Sequence, residues 1–451
     1  NIDDKGPDGE VPVQPAFAQD RGFWEILFCA IFMGAFTGLV ALGFMNCIDE
    51  VPKRWVDNGE FDETSDSGFY DGKPYWIIVV GATGFVVGTL RYIMSFPDDL
   101  PGFFKEVTSC HVDYTHAPQT LVLSAISIAG GASLGPEQAM GNVGGGLATL
   151  IAEQLGFEEE HSKLTVLTGM AAAMGGIFPS PVLGVLMIHE LGNPPKSFME
   201  STLLMSIGAI VSFLVFYSLE DYTYLEALEP NYLLSQNWEF ETKHCGVAVV
   251  FGALSSVIAL MTLLTVGITK QVFYRIEERC NKLGLPGKII VCTIGGICIG
   301  TVNWALPLTV GNGHLTMGAL IQQRNELGYS LLVSTGFARM FTLGCSMNCG
   351  FVGGFIYPMI TIGFIVGIIA HKRYEDELPI GMTVCCFLAA VPSGICPMPF
   401  TLLGISCLVF FLGLQQTVPV FISCIVAYTL FTGIGIFGAM QNRGNNEEGA
   451  P

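Results

Sequence analysis

The segment GGASLGPEQAMGNVGGG, residues 130–146, decides how this chain folds, because it interrupts an apolar stretch with glycines and a proline before a new apolar helix begins. Proline suits the first turn of a helix and is not tolerated in its interior. Such a break leaves the first amides of the new helix unpaired at the positive end of its dipole, where an anion is favoured. The segment therefore predicts a broken helix with a candidate anion site, and places Glu137 at that helix end.

The rest of the chain has the composition of a membrane protein. Of its 451 residues, 51% are hydrophobic and 13% are charged, with a mean hydropathy of +0.54, whereas soluble domains carry about 25% charged residues. Apolar stretches recur from about residue 23 to residue 437, and several approach the ~20 residues that span a bilayer as a helix. Many of the 55 glycines and 23 prolines fall inside these stretches. We therefore expect an all-α, polytopic membrane protein in which several broken helices enter the membrane only partway.

Two further breaks resemble the first one. The segment CGFVGGFIYP, residues 349–358, again places glycines before a proline and an apolar helix. Its backbone amides at Ile356 and Tyr357 are predicted to face the same anion. The segment SFPDDLPGF, residues 95–103, has an aspartate before Leu-Pro, a pattern that predicts a helix N-cap.

A fourth segment, FPSPVLGVLMIHEL at residues 178–191, is an apolar helix that ends in His189 and Glu190. Ionisable residues at membrane depth are functional candidates by default. The simpler interpretation is that the two side chains pair with each other or cap the helix end, and both interpretations stay open at this point.

The charge distribution predicts the orientation of the chain in the membrane. Its net charge is -19, and acidic residues concentrate in two loops, 49–71 and 220–241, whereas basic residues crowd the connection 270–288. Basic loops favour the cytoplasmic side, and we expect Arg21, which precedes the first span, to lie on that side as well. We therefore expect the basic connection to be cytoplasmic and both acidic loops to lie on the opposite side.

Cysteine labelling tests this orientation. A membrane-impermeant thiol reagent applied to the outer or lumenal face should label Ser65→Cys more strongly than the wild-type chain, whose native cysteines set the baseline. Lys282→Cys should gain label only when the cytoplasmic face is exposed. Labelling of Ser65→Cys from the cytoplasm alone would reverse the orientation.

The sequence carries no pattern typical of a metal site or of a catalytic centre. Most of the 14 cysteines lie in apolar runs, where cysteine behaves as a small buried hydrophobe, and no CxxC or Cys/His ligand spacing is present. No nucleophile and base stand at a catalytic spacing. We therefore expect no metal, no cofactor, no nucleic-acid partner and no enzymatic activity, in a multi-pass protein of the plasma membrane or of an organelle.

The chain is predicted to form one transmembrane domain. No linker interrupts residues 21–440, while residues 1–20 are expected to be a mobile arm and residues 441–451 a short polar tail with no regulatory domain. Each side of the chain carries a glycine-rich break and a Pro-containing turn. The halves 21–242 and 243–440 are therefore predicted to form an inverted repeat.

Taken together, the four breaks resemble the CLC family of chloride channels and chloride/proton exchangers over nearly the whole chain, from about Gly22 to Phe437. The segments VPKRW (51–55), LPLTVGNG (306–313) and LAAVP (388–392) add to this resemblance. It implies transport of chloride or a similar small anion across a lipid bilayer, by a homodimer with one pathway in each subunit.

The resemblance also implies which residues form the pathway. The segment GPEQA (135–139) matches the family's segment that carries the gating glutamate, so Glu137 falls on that gate, and 354–358 matches the family's Gly-x-Phe-x-Pro segment with Ile356 in place of phenylalanine. By this likeness the anion is held among nine residues: Asp98, Asp99, Leu100, Pro136, Gln138, Gly354, Phe355, Ile356 and Tyr357.

Three departures from the family pattern bear on mechanism. Asp98 stands where the family offers a chloride-coordinating serine, and its negative charge would repel the anion unless it points away or is neutralised. Leu191 stands where the family's exchangers keep a proton-carrying glutamate. No residue clearly matches the family's C-terminal pathway tyrosine, because residues 437–440 occupy about that place.

Two modes of transport follow from these departures. A passive chloride channel gated by voltage or pH is favoured, because leucine at position 191 cannot carry protons. A coupled chloride/proton antiporter is the alternative, because His189 and Glu190 stand beside that position and could relay protons instead.

Overall fold

A computed structural model describes residues 21–56, 73–97, 100–178, 180–219, 238–375 and 377–433. These residues form sixteen α-helices and one 3-10 turn. Gly135 and Gly354 form an isolated antiparallel β-bridge. The predicted all-α class is confirmed. The predictions made for other residues lie outside the described ones, namely those for 1–20, Asp98, Asp99, 437–440 and 441–451.

The first half of the described chain contains eight helices. They are α1 (Arg21–Val56), α2 (Tyr75–Ile93), α3 (Phe103–Ser109), α4 (Ala117–Ala129), α5 (Glu137–Leu155), α6 (Glu159–Ile177), α7 (Pro181–Leu191) and α8 (Phe198–Leu219).

The second half contains eight more helices. They are α9 (Thr242–Lys282), α10 (Gly287–Ala305), α11 (His314–Gln322), α12 (Tyr329–Asn348), α13 (Ile356–Arg373), α14 (Ile380–Ser393), α15 (Pro399–Val409) and α16 (Thr417–Gly433), and the 3-10 turn Pro307–Thr309 precedes α11.

The packing of the two halves is repeated helix for helix. In the first half α6 lies against α1, α5, α7 and α8, and in the second half α14 lies against the corresponding helices α9, α13, α15 and α16. The second helices of the halves, α2 and α10, pack on each other. This pattern confirms the two-half, inverted-repeat architecture with broken helices.

Helix length separates full spans from partial ones. Six helices of the described ranges are long and apolar enough to cross a membrane: α1, α2, α8, α9, α10 and α13. Five apolar helices have only 10–17 residues: α4, α7, α14, α15 and α16. Because a span needs ~20 residues, α4, α7, α14 and α15 are too short to cross the bilayer as single helices, and breaks in the chain bring their ends together.

Helix α9 extends beyond the membrane at its basic end. With 41 residues it is about 60 Å long, whereas the hydrocarbon core is about 30 Å thick. Arg275, Arg279 and Lys282 near its C-terminus are exposed. These cations can therefore lie in water beyond the hydrocarbon core. The orientation predicted from charge requires them to lie in water on the cytoplasmic side.

Close contact between α5 and α6 fixes the helix that carries the first break. A Cβ atom on Gly144 would lie 2.2 Å from the carbonyl oxygen of Gly169, and one on Gly169 would lie 2.4 Å from that of Gly144. Only glycine permits this approach, a common way to pack helices in membranes. Helix α6 packs against four helices of the first half. Its close contact with α5 therefore fixes the position of α5.

Candidate functional site

The two glycine-rich breaks meet each other. The amide of Gly135 donates to the carbonyl oxygen of Gly354, and the amide of Gly354 donates to the carbonyl oxygen of Gly135, each at 2.8 Å. This bridge joins the segment before α5 to the segment before α13. The N-termini of the two helices therefore lie side by side, as the sequence predicts.

Glu137 is the first residue of α5, and its side chain crosses to α13. It is 1% exposed, and its Oε1 atom accepts a hydrogen bond from the backbone amide of Ile356 at 2.6 Å. Its Oε2 atom is buried and has no hydrogen-bond partner. The carboxylate at the start of α5 thus accepts from an amide at the start of α13. An anion bound at that helix N-terminus would take the same position.

Two glycines enclose the Glu137 carboxylate. A Cβ atom on Gly135 would lie 2.1 Å from Oε2 of Glu137, and a Cβ atom on Gly354 would lie 2.1 Å from Oε1. Any larger residue at either position would compete with the carboxylate for space. The glycines of the breaks therefore leave space for the Glu137 carboxylate in addition to interrupting the helices.

The start of α13 lies against the Glu137 carboxylate. Phe355 is the N-cap of α13 and makes no side-chain cap hydrogen bond. The Tyr357 ring is buried, stacks on Phe178 with 6.0 Å between ring centroids, and its hydroxyl donates to the carbonyl oxygen of Ile177 at 3.3 Å. Tyr357 thus anchors α13 on the end of α6, while the amide of Ile356 faces Glu137.

The remaining predicted pathway residues lie around α3. Pro136 is buried beside Glu137, and Leu100 is half-buried. The side chain of Gln138 turns to α3, because its Oε1 accepts from the amide of Phe103 at 3.0 Å. The aspartate N-cap predicted for this segment is wrong: Gly102 is the N-cap of α3, and Gln138 supplies the acceptor from another helix.

His189 and Glu190 each have partners outside α7. Glu190 accepts hydrogen bonds from the amides of Phe400 and Thr401, both at 2.7 Å, and from the Thr401 hydroxyl at 2.5 Å. It therefore caps the N-terminus of α15. The Nε2 atom of His189 lies 2.9 Å from the Thr202 hydroxyl. The capping interpretation thus has direct geometric support at Glu190, although the helix that it caps is not its own.

Buried ionisable residues to which the sequence assigned no role in the pathway lie at two further places. Glu106 on α3 is 2% exposed and accepts from Nδ2 of Asn142 on α5 at 2.7 Å. Asp49, predicted to lie in the acidic loop 49–71, is instead a buried residue of α1, and His314 on α11 is buried with it, with 3.0 Å between Oδ1 and Nε2. Only their apolar surroundings in the sequence could have drawn attention to them. No cluster able to hold a metal ion occurs in the part of the chain that the structure describes.

Comparison with known proteins gives the same fold. A family model described as "Voltage gated chloride channel" matches residues 99–432. The "Putative ion-transport protein YfeO" of Shigella flexneri is 23% identical over 336 residues, which are 72% of this chain and 74% of that one. The protein of the same name from Salmonella newport is 25% identical over 326 residues, 70% of this chain and 74% of its own.

Two solved structures share the architecture over most of their length. The structure of a slow cyanobacterial Cl-/H+ antiporter has a TM-score of 0.76 at 15% identity and covers 93% of this chain and 97% of its own. The structure of a CLC-type fluoride/proton antiporter has a TM-score of 0.67 at 16% identity and covers 90% and 94%. At these identities the likeness establishes the fold.

Proposed function

The chain belongs to the voltage-gated chloride channel family, and from this premise we propose that it moves chloride or a similar small anion through a pathway gated by Glu137. It is an integral, multi-pass membrane protein. The observation that carries the proposal is the buried Glu137 carboxylate on the amide of Ile356. A negative group already occupies the place that a transported anion would need.

The gate works because the negative Glu137 carboxylate and a negative anion exclude each other from one site. Chloride and the Glu137 carboxylate carry the same charge and seek the same unpaired amides at the ends of α5 and α13. When the carboxyl is protonated, or swings away from Ile356, the amide becomes available to the anion. The glycines Gly135 and Gly354 keep the cavity small, so one occupant leaves as the other enters.

Passive conduction is the mode that the contacts of α7 support. Leu191 carries no proton, and Glu190 is engaged by three donors at the start of α15. A carboxylate that caps a helix in this way is stabilised as an acceptor and is poorly placed to relay protons. The relay through His189 and Glu190 therefore loses support relative to the channel.

Proton-coupled exchange remains as a second candidate because of Glu106. This carboxyl is buried on α3, which packs against α7, the helix that ends at Leu191. Its hydrogen bond to Asn142 leads directly to α5, the helix of Glu137. A buried acid at membrane depth is a natural proton carrier. The two solved structures named above are both of proton antiporters, which gives this mode at least equal standing.

Flux measurements in liposomes test the function and separate the two modes. Purified protein should release chloride down its gradient faster than protein-free liposomes, and equal rates would overturn the proposal. Passive conduction predicts no proton uptake against a pH gradient while chloride moves. Proton pumping that is lost in Glu106→Gln would establish exchange through Glu106, and pumping lost in His189→Ala or Glu190→Gln would place the relay there.

The homodimer is likewise a proposal. Helices α7 and α15 of the two halves lie against each other, and apolar side chains next to them are exposed, among them Phe198, Phe400 and Leu414. Family resemblance implies a homodimer, and we propose this face as the contact between its two subunits. Light scattering of the protein in detergent should give the mass of a dimer after the detergent is subtracted.

A further inference from the structure

A cavity of about 950 Å³ lies between the end of α2, the end of α9 and the start of α10. Sites for small organic ligands have volumes of roughly 300–1,000 Å³, so this cavity can hold a molecule much larger than a chloride ion. It adjoins the basic connection 270–288, on the face of the membrane that is predicted to be cytoplasmic. Its polar and charged lining residues are Arg91, Ser95, Glu277, Asn281 and Lys288.

The charge of the lining favours an anionic ligand. Among the described residues that line the cavity, Arg91 and Lys288 are basic and Glu277 is acidic. The connection 270–288 as a whole contains five basic and two acidic residues, so the surroundings of the cavity are also positive. Arginine keeps its charge at all relevant pH values and matches the geometry of a phosphate group. The cavity therefore suits a ligand that carries phosphate.

The start of α10 adds to this preference. Gly287, Lys288 and Ile289, the first three residues of α10, line the cavity. The N-cap of this helix is Pro286, which makes no side-chain cap hydrogen bond. The N-terminus of a helix carries a partial positive charge and binds phosphate groups in many proteins. The helix start and the two basic side chains thus act on the same space.

Arg91 is held in place by contacts on both sides of its guanidinium group. Its Nη1 atom donates to the carbonyl oxygen of Gly350 at 2.7 Å, and Gly350 belongs to the break 349–358. Its guanidinium carbon lies 5.3 Å from the ring centroid of Phe96, and the amide of Phe96 donates to the carbonyl oxygen of Arg91 at 2.9 Å. The cavity therefore has a basic residue of fixed position, which also contacts the segment that leads to the anion site.

The cavity lies close to the predicted inner end of the anion pathway. Ser95, Phe96 and Pro97 line it, and Leu100, one of the predicted pathway residues, follows Pro97 by three positions. Consecutive Cα atoms are 3.8 Å apart, so the Cα atoms of Pro97 and Leu100 are separated by no more than about 11 Å. At this range the charge of a bound ligand is only partly screened at physiological ionic strength. An anion that passes Leu100 would therefore be repelled by a ligand in the cavity.

We propose that the cavity binds a phosphate-bearing ligand, either a free nucleotide or the phosphorylated headgroup of a lipid, and that the bound ligand lowers anion flux. The negative charge of the ligand offsets the basic residues that would attract a transported anion to this face of the protein. The effect on flux rests on the proposed function, whereas binding of the ligand does not.

Binding is tested with purified wild-type protein in detergent by isothermal titration calorimetry. ATP is the probe for a free ligand, and adenosine is its control without phosphate. Dioctanoyl phosphatidylinositol 4-phosphate is the probe for a lipid, and dioctanoyl phosphatidylinositol is its control. Binding of ATP but not adenosine would identify a free ligand, and binding of the phosphorylated lipid alone would identify a headgroup. If neither phosphate-bearing probe binds at millimolar concentration, the proposal is overturned.

Asn281→Asp tests whether the probe binds in this cavity. A Cβ atom on Gly287 would lie 2.4 Å from Oδ1 of Asn281, so the Asn281 side chain lies against the start of α10. Aspartate keeps its shape and adds a negative charge there, which should lower the affinity for the probe about tenfold or more. Lys288→Gln removes a basic residue and should also weaken binding.

The matched control for this charge change is Gln271→Glu. Gln271 is exposed on α9 and is not among the residues that line the cavity. This variant should bind the probe as the wild type does. If Asn281→Asp and Gln271→Glu lower the affinity equally, or if neither changes it, the ligand binds elsewhere and the proposed cavity site is wrong. Should Lys288→Gln not fold, the comparison of these two variants still decides.

Anion flux in liposomes tests the effect of the ligand. The probe that binds, either ATP on the face with the basic connection or phosphatidylinositol 4-phosphate in the membrane, should lower wild-type flux about twofold or more. Flux through Asn281→Asp should respond much less to the same probe. Binding without a change in wild-type flux would contradict the regulatory role. If wild-type liposomes carry no anion flux at all, the proposed function has failed, and the binding measurements alone decide whether the cavity is a phosphate site.

Discussion

Replacing Glu137 with glutamine should raise anion flux by about tenfold or more and weaken its dependence on pH. Two unit charges 4 Å apart at an effective dielectric of about 20 repel by roughly 4 kcal/mol, an upper figure for what the substitution relieves. Glutamine keeps the shape of the side chain and removes the charge. In the wild type, a fall in pH protonates the same carboxyl and should raise flux in the same way.

The control for this experiment is Glu153→Gln, the same substitution at an exposed position on α5. It should leave flux and pH response unchanged. If Glu137→Gln behaved like this control, or only lowered the yield of protein, Glu137 would be a structural residue at a helix end. The anion pathway would then have to lie elsewhere.

Replacing Gly354 with alanine should decrease anion flux strongly, in the wild type and also in the Glu137→Gln background. The added methyl carbon would lie 2.1 Å from the position of Oε1 of Glu137, where we expect the anion to bind. Overpacking of this kind costs about 1–3 kcal/mol, which corresponds to a decrease of roughly 5- to 150-fold in occupancy. Single-channel or liposome flux measurements check the size of the decrease.

A matched substitution shows whether the decrease is local. Gly336→Ala on α12 would bring its methyl carbon only to 3.8 Å from the Ile365 side chain, and should leave flux near the wild-type value. An increase of flux in Gly354→Ala would mean that the methyl group displaces the carboxylate and leaves room for the anion. The anion would then bind farther from Gly354 than proposed.

Local patterns in the sequence predicted much of the fold. The glycines and prolines of 130–146 and 349–358 indicated two helix starts, and the structure joins them through the bridge between Gly135 and Gly354. The position of Glu137 at such a start also followed from the sequence, because a helix N-terminus is defined by its own residues. Its contact with Ile356 could only be suggested by family resemblance.

Contacts between distant segments explain what the sequence alone did not reveal. The sequence leaves Glu190 as part of a proton relay, as a partner of His189 or as a cap of its own helix, whereas in the structure it caps the helix that begins near Phe400. The cap of α3 was assigned to a neighbouring aspartate, whereas the acceptor is Gln138 on α5. Asp49 and His314 come together only when α1 and α11 are placed in space. Such contacts depend on tertiary packing, which the local sequence pattern does not predict.

Diffraction with bromide in place of chloride tests the central claim most directly, because bromide can be located by its anomalous scattering. If the carboxylate and the anion compete for one amide, crystals of Glu137→Gln should show bromide within hydrogen-bonding distance of the Ile356 nitrogen. Wild-type crystals at neutral pH should show the Glu137 carboxylate there and no bromide. Bromide beside Ile356 together with an unmoved carboxylate in the wild type, or no bromide there in the variant, would contradict the claim.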